Sequence, residues 1–68
     1  MSAIRVRMKH IRAARMCSSG ARAFFARHHL DWSAFLRDGI PVEAMEATRD
    51  PMALKVAAAA RQEASSDE

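Results

Sequence analysis

Apolar positions alternate with arginine at the start of the chain. Ile4, Val6 and Met8 interleave with Arg5 and Arg7, a period of two that suits a short extended segment. From Met8 the period lengthens: Met8, Ile11 and Ala14 or Arg15 fall at helical spacing. This predicts a first helix from Met8 to about Met16, with Lys9, Arg12 and Arg15 facing water. Cys17-Ser18-Ser19-Gly20 should break it, and either serine can cap the next helix by accepting an orphan backbone N–H. That second helix, roughly Gly20 to His28, places Ala21, Phe24, Phe25 and His28 on one face and Arg22 and Arg27 on others. His28 and His29 then stand at its C-terminal end, where cations and donors are favoured.

The third helix carries the strongest boundary signals. Asp31 is a good N-cap, and Leu30 and Phe35 are spaced to form a hydrophobic staple around it. Gly39 can take a left-handed position beyond the helix end, with Ile40 reaching back to Phe35 as in a Schellman motif. Trp32, Phe35 and Leu36 form the expected buried stripe. Pro41 suits the first position of a fourth helix, with Val42 and Met45 inward and Glu43 and Glu46 outward. Asp50-Pro51 repeats the start signal for a last helix to about Glu63. Its buried line is either Ala53, Val56, Ala57 and Ala60, or Leu54 and Ala58. Residues 64–68 read as a disordered acidic tail.

Composition adds a size limit to this pattern. The chain has 68 residues, half of them apolar, and fifteen are alanine. A domain this small buries only about 60% of the surface its unfolded form exposes, so its core is thin. The single Cys17 excludes an internal disulfide, which makes a homodimer or docking onto something larger the expected route to added stability. No run approaches the apolar length of a membrane span, and the modest apolar face of the first helix ranks a membrane-surface role low. The Arg-rich opening is like a mitochondrial presequence in composition, but it leads straight into capped helices. The whole chain is therefore expected to be mature and cytoplasmic.

Charge is distributed very unevenly. The first thirty residues hold seven basic side chains and no acid, whereas the remaining thirty-eight hold four basic and eight acidic ones. Arg5, Arg7, Lys9, Arg12, Arg15 and Arg22 are the candidate partner-binding residues. The sequence pI near 10.0 and the Arg-lined first helix suit phosphate contact. Helices two and three, joined by a short turn, also have helix-turn-helix proportions. Helix three makes a poor reader, because only Ser33 and Arg37 could address base edges. Arg, Met and aromatic side chains are enriched at protein interfaces, which favours a protein partner. The Ile4–Met8 segment could also add a strand to a partner's sheet or pair with its own copy.

Catalytic and metal chemistry find little support. Cys17, His10, His28 and His29 supply zinc-ligand types without the paired short spacing of small zinc domains. Cys17 reads instead as a small, partly buried hydrophobe in a turn. A Cys–His catalytic pair would lack both a pocket and an oxyanion device, and Gly20 and Gly39 read as turn residues, not a phosphate loop. No enzyme activity, metal or cofactor is expected.

Several local patterns also occur together in this order. They are Ile11-Arg12-Ala13-Ala14, Met16-Cys17, Gly20-Ala21-Arg22, Phe24-Phe25, Leu30-Asp31-Trp32, Phe35-Leu36, Gly39-Ile40 and Ala47-Thr48-Arg49-Asp50. The series resembles a group of small helical bacteriophage and prophage proteins, from about Val6 to Arg61. The resemblance implies phage origin and small size and supplies no active site. The chain departs from the group's pattern at His29 and Arg49, where glycine is usual. His and Arg take left-handed backbone less readily than Gly, which leaves the geometry of both turns open.

The expected protein is all-α: a compact bundle of four to five short helices over residues 1–63, with Ile4–Met8 as a candidate extended segment. Its expected core is Phe24, Phe25, Trp32, Phe35, Leu36, Ile40, Met45, Leu54 and Val56. The expected function is that of a phage-encoded protein–protein interaction module, either a virion or assembly component or an inhibitor of a host protein. The alternative is a small basic nucleic-acid-binding protein.

Overall fold

The alternation at the N-terminus does produce a strand, and that strand has a partner. In a computed structural model that describes residues 4–66, β1 (Arg5–Val6) pairs antiparallel with β2 (Ile40–Pro41). Arg5 lies opposite Pro41 and Val6 opposite Ile40, and Val42 N–H donates to the Ile4 carbonyl at 3.0 Å. The fold is thus mostly helical with one small sheet: the helical class and the N-terminal extended segment were expected, its pairing with a second strand was not. The pairing joins positions thirty-four and thirty-six residues apart, which no local pattern announces.

Five helices follow: α1 (Met8–Ala13), α2 (Ser18–Arg27), α3 (Trp32–Asp38), α4 (Val42–Ala47) and α5 (Pro51–Ser66). Helix α5 is the spine. Its buried line is Ala53, Val56, Ala57 and Ala60, and the small side chains let α4, α1 and β1 pack closely against it. The alternative line fails, since Leu54 is 45% exposed and Ala58 is exposed. Helix α2 packs on α1 and carries α3, and their rings form a second cluster. Phe25 sits at its centre, with ring centroids 6.1 Å from Phe24, 5.2 Å from Trp32 and 4.7 Å from Phe35.

Two expected core residues lie outside, Leu36 at 56% exposure and Leu54, and Trp32 is only partly buried. Neighbours on a helix point about 100° apart, so turning Phe35 into the ring cluster turns Leu36 out. Val6, Ile11 and Val42 fill the core instead, beside Met45 and Ile40.

The helix ends combine expected and unexpected caps. Asp31 Oδ1 accepts from Ala34 N–H at 3.0 Å, and Asp50 Oδ1 accepts from Met52 N–H at 2.9 Å. Pro41 lies one position earlier than expected, just before α4. Helix α2 begins at Ser18, so Gly20 is inside the helix and not a breaker. Its cap is the Cys17 thiol, not a serine: Sγ accepts from Gly20 N–H at 3.3 Å. Helix α1 stops at Ala13, three residues early, and α5 runs on to Ser66, so residues 64–66 are helical. Asp67 and Glu68 of the expected tail lie outside the described residues.

Three helices end on a non-glycine residue in left-handed backbone: Arg15 (φ 61°), His29 (φ 58°) and Arg49 (φ 58°). His29 and Arg49 therefore keep the turn geometry that glycine would favour. Schellman bonds close α1 (Met16 N–H to Ile11 O, 3.1 Å) and α2 (Leu30 N–H to Phe25 O, 2.8 Å). At the end of α4 the Thr48 hydroxyl substitutes for that bond. It donates to Met45 O at 2.8 Å and accepts from Asp50 N–H at 3.3 Å. At Arg15 and Arg49 the guanidinium charge also complements the negative helix end, partly offsetting the steric cost. Gly39 is different. Its φ of 77° is paired with an extended ψ of 176°, so it swings the chain from α3 into β2 and forms no Schellman turn.

Candidate interaction surface

The six cations singled out in the sequence divide into two groups. Arg5, exposed on β1, donates from Nη1 to the Gly39 carbonyl at 3.2 Å and so braces the sheet. Lys9, on α1, pairs with Glu63 of α5 at 3.0 Å. Arg7 precedes α1, Arg12 lies on α1, Arg15 is in the turn after it and Arg22 is on α2. All four are exposed, and no described carboxylate lies within ion-pair distance of any of them. Because α1 packs against α2, Arg12, Arg15 and Arg22 occupy adjoining elements. Arg27, also on α2, lies over the Phe24 ring at 5.8 Å.

The glutamates of the acidic half, in contrast, have cationic or histidine partners. Arg61 of α5 grips Glu46 of α4 with two bonds of 2.8 Å and reaches Glu43 at 3.8 Å. The Arg61 hydrogen bond holds the Glu46 carboxyl below its ordinary range. Glu63 is likewise held low, first by His10 and then by Lys9. Its Oε1 faces His10 Nε2 at 3.0 Å and its Oε2 faces Lys9.

His10 has a role that sequence reasoning missed. It is buried on α1, with Nδ1 accepting the Arg7 backbone N–H at 2.9 Å. That bond is half of a capping box at the start of α1. The available signal was its position, three residues after Arg7 at the change of period. Its other partner, Glu63, is fifty-three residues away and could not be read locally.

The remaining chemistry-bearing groups do not converge. Cys17 is exposed, where partial burial was expected. Hydrogen bonds from Ser19 and Gly20 hold its thiol below the ordinary range. His28 packs against Phe24 with the rings tilted at 46° and centroids 4.5 Å apart, and His29 occupies the left-handed turn position. Among the described residues no three His, Cys, Asp or Glu side chains are grouped to hold a metal ion. No described helix is long and apolar enough to cross a membrane.

Comparisons with protein-family models, curated proteins and solved structures give no match for this chain. The likeness to small phage proteins therefore rests on the sequence patterns alone, and the unmatched arginines are the strongest functional feature of the surface.

Proposed function

We propose that the chain is a phage-encoded, non-enzymatic protein–protein interaction module, either a small virion or assembly component or an inhibitor of a host protein. The observation that carries this reading is the unequal treatment of charge. Glu43, Glu46 and Glu63 have cationic partners, whereas Arg7, Arg12, Arg15 and Arg22 have none among the described residues. Unmatched cations on a folded surface steer an oppositely charged partner and fix its register. Within the basic half the unmatched side chains are all arginine, and its one lysine is tied to Glu63, whereas Lys55 on α5 also lacks a described carboxylate partner. Interface cores favour Arg and disfavour Lys, which supports a protein partner.

The same free arginines favour a second reading, phosphate contact with nucleic acid. Its weakness is the reading helix. Trp32 of α3 packs against the core, and Arg37 is paired with Asp38 at 3.0 Å, which leaves Ser33 as the free polar side chain for base edges. Size-exclusion light scattering with and without duplex DNA, at about 0.15 and 0.4 M salt, separates the readings. The interaction reading expects a mass that DNA does not change, with any dimer surviving the higher salt. A monomer that shifts with DNA, and loses that shift steeply as salt rises, overturns it.

A further inference from the structure

Helix α2 has two unlike faces. Ala21, Phe24 and Phe25 are buried against the rest of the chain, whereas Ser19, Arg22, Ala23, Ala26 and Arg27 are exposed. Successive helical residues point about 100° apart, so Ser19, Ala23 and Ala26 fall on one outward line. Arg22 and Arg27 flank that line, roughly 70° to either side. Neither has a described carboxylate within ion-pair distance, and Arg27 lies over the Phe24 ring at 5.8 Å. The exposed face is thus a floor of short side chains between two cationic rims.

We propose that this face of α2 docks an amphipathic acidic helix of another protein. Its short or apolar side chains lie along Ser19, Ala23 and Ala26, and its carboxylates reach Arg22 and Arg27. The inference rests on the protein-interaction reading above and names the chemistry of the partner. Short side chains let a second helix backbone approach closely, and charges beside an apolar seam select which helix pairs with which. Guanidinium forks suit carboxylates on a neighbouring helix. The chain itself makes that contact between α5 and α4, where Arg61 holds Glu46 with two bonds of 2.8 Å. Arg12 and Arg15, on α1 and in the turn before α2, add positive potential that speeds the encounter.

A second copy is a poor occupant, because every carboxylate among the described residues is engaged. Asp31 and Asp50 accept from backbone N–H groups, Asp38 pairs with Arg37, Glu43 and Glu46 with Arg61, and Glu63 with Lys9 and His10. Joining two α2 faces would also set arginine against arginine. Nucleic acid would use the rims and leave the floor idle, since phosphate contacts are made by charge and hydrogen bonding.

A defined probe tests the proposal: a labelled helical peptide of about 20 residues, with alanine and leucine at the a and d positions of its heptads and glutamate at e and g. Its comparison redistributes the same residues around the helix, keeping charge and helicity and removing the stripe. Fluorescence anisotropy at about 0.15 M salt should show the striped peptide bound about 10-fold more tightly, with NMR shifts at Ala23 and Ala26. Arg22→Glu combined with Arg27→Glu should weaken that binding by about 10-fold. A striped peptide with lysine in place of glutamate should then prefer the variant to wild type, an exchange that a folding defect could not produce. Equal binding of the two acidic peptides to wild type would overturn the proposed occupant and leave the protein-interaction reading standing. Tighter binding of duplex DNA than of the striped peptide would overturn both. The two wild-type comparisons decide the matter even if the double variant fails to fold.

Discussion

Phe25→Ala should leave the chain unfolded at room temperature. Phe25 is fully buried and lies within 6.1 Å, centroid to centroid, of Phe24, Trp32 and Phe35, so it joins α2 to α3. Removing a buried aromatic ring costs about 3–5 kcal/mol in lost transfer energy and residual cavity. Whole-domain stability is roughly 0.05–0.15 kcal/mol per residue, which for so short a chain is of comparable size. Far-ultraviolet circular dichroism and a urea titration read the effect directly. A cooperative transition at the wild-type midpoint would show that the ring cluster is not what holds α3 in place. Trp32→Ala should do less damage, since Trp32 is only partly buried.

Gly39→Ala is the second large effect, and its cause is backbone rather than core. At φ 77° an L side chain is strained, and a Cβ there would stand 2.8 Å from the Val6 carbonyl oxygen. The nearest atom belongs to the strand that β2 must pair with, so it cannot move without opening the sheet. A destabilisation of about 2–3 kcal/mol is expected, seen as a lower urea midpoint. Gly20→Ala provides the control. Gly20 is helical, and its Cβ would meet only the Cys17 thiol at 3.1 Å, a side chain able to turn aside. Equal effects at the two glycines would contradict the assigned role of Gly39.

What could be read from the sequence depended on how local its physical cause is. The Asp31 and Asp50 caps act within three residues, and both were visible as spacing. The Cys17 cap was missed because serines stand beside it and a thiol is the weaker acceptor. Leu36 and Leu54 were misplaced because α3 has only seven residues and α5 offered two apolar lines. In each case tertiary contact chose the phase: the ring cluster took Phe35, and close packing on α5 took the alanine line. The β1–β2 pairing and the His10–Glu63 bond both join distant segments, so neither left a local trace.

The surface followed the same rule. Its sign was plain from the order of charges, and all six cations were named from it. Which of them are free was not. Lys9 is taken up by Glu63 and Arg5 by the Gly39 carbonyl, contacts that exist only in the folded chain. The candidate docking group thus contracts to Arg7, Arg12, Arg15 and Arg22. These keep their exposure without a matching carboxylate among the described residues.

A photo-crosslinking side chain placed at Ala23, exposed beside Arg22, tests the docking role in bacterial cells most directly, with Ala58 on α5 as the control position. The account predicts a discrete protein adduct from Ala23 and none from Ala58. That adduct should fall by an order of magnitude or more when Arg12, Arg15 and Arg22 are changed to glutamate, since hot-spot residues carry most of an interface's energy. Adducts to nucleic acid alone, or the same protein adduct from both positions, would contradict it.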